Sequence, residues 1–149
     1  MSPSVRTLTR SAVYLLFYQQ DQLLLLRRYQ TGFEDGNYSL VAGHLENQEN
    51  VTAAAIREAH EEVGIMIAPP DLEFVHVMHR TGEDKLVYFD FFFIAHRWTG
   101  EITNCEPDHC DDLRWFPVAH LPPNTIPYIR AVLTDIANGA KFSEYGWNT

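Results

Sequence analysis

The chain has 149 residues, 46% of them hydrophobic and 21% charged, which is enough to bury one core without staples and excludes a disordered or fibrous polypeptide. Eleven Lys and Arg stand against 20 Asp and Glu, a formal charge of −9 that repels phosphate backbones and argues against duplex nucleic acid as a partner. Two cysteines, Cys105 and Cys110, are too few for a disulfide framework and fit a reduced, cytoplasmic setting.

No secretory leader or membrane span is expected. Residues 1–10 are polar, and the most apolar window, 86–95, is half the length of a spanning helix and is interrupted by Asp90. Apolar runs at 11–18 and 22–26, separated by Gln19-Gln20-Asp21, predict a hairpin. Residues 29–38 hold Thr31, Gly32, Asp35, Gly36 and Asn37 and predict a loop, followed by a short strand at 38–41. Asn50 is placed to cap a helix over 51–63, with Gly64 as its stop. Beyond the break at Pro69-Pro70, residues 72–79 alternate as a strand. In 85–97, Phe89, Phe91 and Phe93 fall on one side and Tyr88, Phe92 and Ile94 on the other. A strand apolar on both faces is covered front and back. A short strand at 112–116 ends at Pro117, and a last helix over 126–138 stops at Gly139. The expectation is a single α/β domain over 1–149, with strands flanked by at least two helices.

The segment 43–65, GHLENQENVTAAAIREAHEEVGI, carries the chemistry. At about 100° per residue, Glu58, Glu61 and Glu62 share roughly 100° of one helix face, and Thr52, Ile56, Ala59 and Val63 form the stripe beside it. The carboxylates repel one another at i,i+3 and i,i+4 spacing and lie at the negative end of the helix dipole. Arg57 offsets part of this by pairing with Glu61. The excess charge suits a hard divalent ion, Mg²⁺ or Mn²⁺. A solvated acidic face is the competing reading of the three glutamates alone; the flanking Gly43, Glu49 and Gly64 outweigh it.

With those residues in hand, the segment resembles the signature of the Nudix hydrolases, the MutT-like family. Gly43 is followed after five residues by Glu49, then after seven by Arg57-Glu58, Ala59, His60, Glu61-Glu62, Val63, Gly64 and Ile65. Only Ala59, where a larger aliphatic is usual, departs from the pattern. The resemblance implies an α/β/α sandwich around a central mixed sheet. It also implies metal-assisted hydrolysis of a phosphoanhydride in a nucleoside diphosphate linked to another group, with Mg²⁺ or Mn²⁺ as cofactor. By the same resemblance Glu58, Glu61, Glu62 and the Gly43 carbonyl hold metal, Arg57 orients the carboxylates, Glu49 pairs with Arg57, and Glu61 or Glu58 is the general base unless a later loop supplies it.

In the acidic loop 101–112, Glu106 is the chosen extra ligand or base, with Asp108, Asp111 and Asp112 as competitors. Cys105, Asp108, His109 and Cys110 lack the second ligand pair of a zinc site. Arg27 or Arg28, one of which alternation turns toward the site, is expected on the substrate phosphates, with Arg28 preferred. His44 follows Gly43 as a second phosphate contact, and Tyr128 is a candidate against the nucleobase. Trp115 and Phe116 read as core. Family marks for ADP-ribose, diadenosine polyphosphates and NADH are missing around Arg80 to Glu83. The expected substrate is therefore a nucleoside triphosphate, standard or oxidised, cleaved to monophosphate and pyrophosphate. A nucleoside diphosphate derivative such as ADP-ribose or a nucleotide-sugar is the alternative, and a non-catalytic nucleotide sensor the alternative of another class. The partner expected is a small-molecule nucleotide, with neither duplex nucleic acid nor membrane, and the sequence leaves a homodimer open.

Overall fold

The computed structural model describes residues 4–148. Two sheets form. The first is five-stranded and mixed: β5 (Val41–His44), β1 (Arg10–Leu16), β7 (Val87–Ala95), β6 (Leu72–Thr81) and β9 (Phe142–Tyr145), in that order. The pairs β1·β7 and β6·β9 are parallel, and β1·β5 and β6·β7 are antiparallel. In the second sheet, β3 (Gln22–Arg28) pairs with β8 (Cys110–Pro117) along its length and with β2 (Tyr18–Gln19) and β4 (Tyr38–Ser39) at its two ends.

Helix α1 (Val51–Val63) covers one face of the first sheet and α2 (Pro127–Ala137) the other. Strand alternation sorts the core accordingly. Val13, Leu15, Phe17 and Phe93 pack with α1, whereas Tyr14, Leu16 and Phe92 pack with α2. The doubly apolar β7 is thus a central strand of an α/β/α sandwich.

Three local expectations are revised. The hairpin at 11–26 is real only at its tip, where Tyr18 faces Leu23 and Gln19 faces Gln22; the chain turns at Phe17 and β1 joins the other sheet. The strand expected at 38–41 is two strands in different sheets, divided at Leu40. The buried stripe of α1 is Ala54, Ala55, Glu58, Ala59 and Val63, while Thr52 and Ile56 are only half-buried. The stripe is rotated because alanines let the helix sit close to the sheet, and that rotation carries Glu58 inside. Asn50 caps α1 by accepting from the Ala53 N–H at 2.8 Å, and Gly64 closes it in the left-handed region at φ 76°. Strand β9 was not expected: its four residues, FSEY, pack on only one side. No helix of the described residues is long and apolar enough to cross a membrane.

Candidate active site

Strand β5 is an edge strand, and its outer backbone groups face α1 rather than another strand. The Ala42 N–H therefore donates to the Glu62 carboxylate at 2.9 Å. One residue on, the Glu58 carboxyl group lies so close to Gly43 that a Cβ there would overlap it. This close approach is the physical reason for a glycine at the head of the motif.

Arg57 organises the outer side. Its Nε and Nη2 donate to Glu49 at 2.7 and 2.9 Å, its Nη1 to Glu58 at 2.8 Å and to Glu61 at 3.1 Å, and Nη2 also to the His44 carbonyl at 3.0 Å. Hydrogen bonds from Arg57 hold Glu49 down to about 2. Burial, opposed by Arg57, pushes Glu58 up to about 7. Burial and the neighbouring Glu58 raise Glu62 well above the carboxylate range. Two desolvated carboxyl groups that repel each other as anions would be relieved by a cation.

A cavity of about 600 Å³ opens beside them, between the edge of β5 and the second sheet. Glu62, Gly43, His44, Glu106, Arg28 and Tyr128 all line it. Glu58 touches it only through Gly43, and Glu61 is exposed, tied to Arg57 outside the cavity. Among the described residues, no three acidic, His or Cys side chains converge into a finished metal cage. Arg57 keeps Glu58 and Glu61 occupied, and the same finding gives no support to zinc at Cys105, Asp108, His109 and Cys110. The donor set at Gly43, Glu58 and Glu62 is nonetheless all oxygen and partly desolvated, and its two carboxyl groups could take a hard divalent ion in place of their protons.

The two arginines separate at a bulge. Register between β3 and β8 shifts at Arg27/Arg28, so Arg27 faces Asp112 while Arg28 faces Cys110. The extra residue, Asp111, takes Arg27 in an ion pair of 2.7 Å, away from the cavity. Arg28 enters the cavity, its Nε donating to the Phe33 carbonyl at 2.6 Å and its Nη2 to Thr31 Oγ1 at 3.0 Å. In the acidic loop, Glu106 alone of the four carboxylates considered lines the cavity; Asp112 instead bonds Tyr38 and Arg114. His44 is kept neutral by burial, reinforced by Arg10. Trp115 packs against the α1-side core, and Phe116 lies edge-on to Tyr38 at 4.9 Å.

Sequence reasoning missed one cluster. Elsewhere in its lining, at what serves as its floor, the cavity holds Arg80, whose Nε donates to the fully buried Asp90 at 2.6 Å. Its guanidinium lies 4.3 Å from the Tyr88 ring centre and 4.0 Å from that of Tyr128. The Tyr128 hydroxyl in turn bonds that of Tyr14 at 2.8 Å. The signal was present: an aspartate inside an apolar strand demands a buried cation, and Arg80 lies across the β6·β7 ladder.

Comparison with known proteins agrees with this architecture. A NUDIX domain model matches residues 8–135. The NAD-capped RNA hydrolase NudC of Stutzerimonas stutzeri is 33% identical over 111 residues, 74% of this chain and 37% of that protein. The ADP compounds hydrolase NudE of Escherichia coli is 27% identical over 78% of this chain and 61% of its own length. The chain thus spans little more than a third of the NudC protein. A crystal structure of a MutT NUDIX hydrolase from Burkholderia pseudomallei superposes with a TM-score of 0.78 at 25% identity, covering 85% of this chain and 97% of that one. On the family match, the motif and the fold together, this chain belongs to the Nudix hydrolase family.

Proposed function

We propose that the chain is a divalent-metal-dependent pyrophosphohydrolase of a nucleoside diphosphate joined to a further group. The nucleoside triphosphate expected from the sequence is the simplest member of that class. The names of the relatives, which describe hydrolases of NAD-capped RNA and ADP compounds, support placing diphosphate derivatives such as ADP-ribose or a nucleotide-sugar ahead of it. The observation that carries the reading is the pair of desolvated carboxylates, Glu58 against Gly43 and Glu62 on the Ala42 N–H, at the wall of a nucleotide-sized cavity that Arg28 also enters.

Glu58, Glu62 and the Gly43 carbonyl would hold Mg²⁺ or Mn²⁺. Such an ion, when bound, polarises phosphoryl oxygens and lowers the pKa of water. The chain's own residues do the rest. Arg28, braced by Phe33 and Thr31, offers its remaining N–H groups to a phosphate. Neutral His44 adds a hydrogen bond without repelling the arginine. Arg57 fixes Glu58 and Glu61 in one orientation, and Glu49 fixes Arg57. Glu106 has no side-chain partner among the described residues and lines the cavity, so it is the carboxylate free to take a proton from the attacking water.

The test is turnover. Purified protein with Mg²⁺ should release a nucleoside monophosphate from at least one member of a panel of triphosphates, ADP-ribose, dinucleotides and nucleotide-sugars. Binding without hydrolysis across the whole panel would assign the chain to the sensor class instead.

A further inference from the structure

The floor of the cavity is built around a cation whose role the reaction does not explain. Arg80 is 7% exposed and Asp90 0%. Asp90 takes Nε at 2.6 Å and, more weakly, Nη2 at 3.4 Å, which together are one side of the guanidinium. The rings of Tyr88 and Tyr128 lie against the group, 4.3 and 4.0 Å from its carbon. What is left is the end-on fork, one N–H on each Nη, and the second N–H of Nη1 beside it. Nη1 has no protein acceptor among the described residues, yet no buried side-chain atom there is left without a partner, so this nitrogen reaches open space. Arg80 lines the cavity, and the cavity is the space it reaches.

A planar fork of two parallel donors, without any acceptor, selects a ligand edge with two adjacent acceptors in one plane. Because Asp90 already balances the charge, the edge it suits is neutral and not a further phosphate. Resting on the nucleotide reading above, we infer that Arg80 reads the substrate's nucleobase, and that the base is a 6-oxopurine, guanine or hypoxanthine, whose O6 and N7 take the fork. Adenine offers an acceptor beside an amino donor and is mismatched. So is 8-oxoguanine, whose N7 carries a hydrogen. The site therefore favours the unoxidised base. Arg80 is a specificity-determining residue, separate from the groups that act on the phosphoanhydride.

Direct binding tests this without depending on turnover. Calorimetric titration of the full chain at millimolar Mg²⁺ with GMP, IMP, AMP and 8-oxo-GMP should give GMP and IMP similar affinities, each about tenfold or more above the other two. Arg80→Lys keeps a cation against Asp90 but loses the fork. It should bring GMP down to the level of AMP and, on a hydrolysed guanine substrate, raise KM far more than it changes kcat. AMP or 8-oxo-GMP binding as tightly as GMP in the unaltered protein overturns the inference whether or not the lysine variant folds. So does an unchanged GMP-to-AMP ratio in a folded Arg80→Lys protein. A clear GMP preference with no hydrolysis of any substrate would overturn the proposed reaction and leave the base assignment standing.

Discussion

The two ends of the cavity handle buried charge in opposite ways. At the floor, Asp90 and Arg80 are matched inside the fold, a carboxylate and a guanidinium 2.6 Å apart in a sheet interior. At the wall, Glu58 and Glu62 are desolvated together, and Arg57, the cation bonded to Glu58, is shared among Glu49, Glu58 and Glu61. A pair closed on itself holds a side chain in one geometry. A cluster left short of positive charge would, on the proposed function, accept an ion that arrives with the substrate. On the function and the base contact proposed above, the difference separates a part of the molecule that recognises from a part that reacts.

Removing charge tests each end differently, and the wall should show the larger effect. Glu106→Gln should lower kcat by roughly 10²–10⁴, the range for losing a positioned acid–base group, and Glu62→Gln should also lower it by weakening the hold on the ion, while the far-UV spectrum stays unchanged. Gly43→Ala should approach the same loss, because the new methyl displaces the Glu58 carboxyl. At the floor the signature is stability. Asp90→Ala leaves Arg80 buried and unpaired and should cost about 3–5 kcal/mol in urea unfolding. Replacing both partners, Arg80→Met with Asp90→Leu, should recover most of that. A double variant no more stable than the single one would show that the pair is not the closed unit described here.

How legible these two ends were in the sequence follows from how local each is. The wall is built within 20 residues by one helix and the strand before it, so the spacing of Gly43, Glu49, Arg57, Glu58 and Glu62 was enough to find it. Arg28 over Arg27 was legible as a preference, but its cause was not: alternation gives only the parity, and the bulge that inserts Asp111 depends on how β8 lies against β3. Burial of Glu58 was hidden for a related reason, since a helical wheel cannot show how near alanines let α1 approach the sheet. Glu61 shares the helix face but not the cavity, because it stands about 100° round the helix from Glu62, on the far side of that arc. The floor joins β1, β6, β7 and α2, and no window of sequence contains it. Asp90 in LVYFDFFFIA was the one clue, legible as a demand for a partner and silent about which.

The smallest expected effect is also the most direct probe of the unmatched wall. Glu58 ionises near 7 in the fold against about 4.5 in an unfolded chain, and Glu62 is raised in the same sense. Between those values the folded protein holds protons that the unfolded chain has released, so stability falls as pH rises from about 4.5 to about 7. Glu49 runs the other way: held to about 2 by Arg57, its contribution is complete above 4.5 and is lost only as pH drops toward 2. Without divalent ions the melting temperature should therefore decline by a few degrees from pH 5 to pH 8. Millimolar Mg²⁺ should cancel the decline at the alkaline end and do little at pH 5, where the carboxyls hold protons and compete with the ion. Differential scanning calorimetry at the two pH values, with and without Mg²⁺, reads this directly. In Glu58→Gln the metal-free decline should shrink and the Mg²⁺ effect with it. An alkaline loss undiminished in that variant would mean that Glu58 contributes nothing to the strain of the wall.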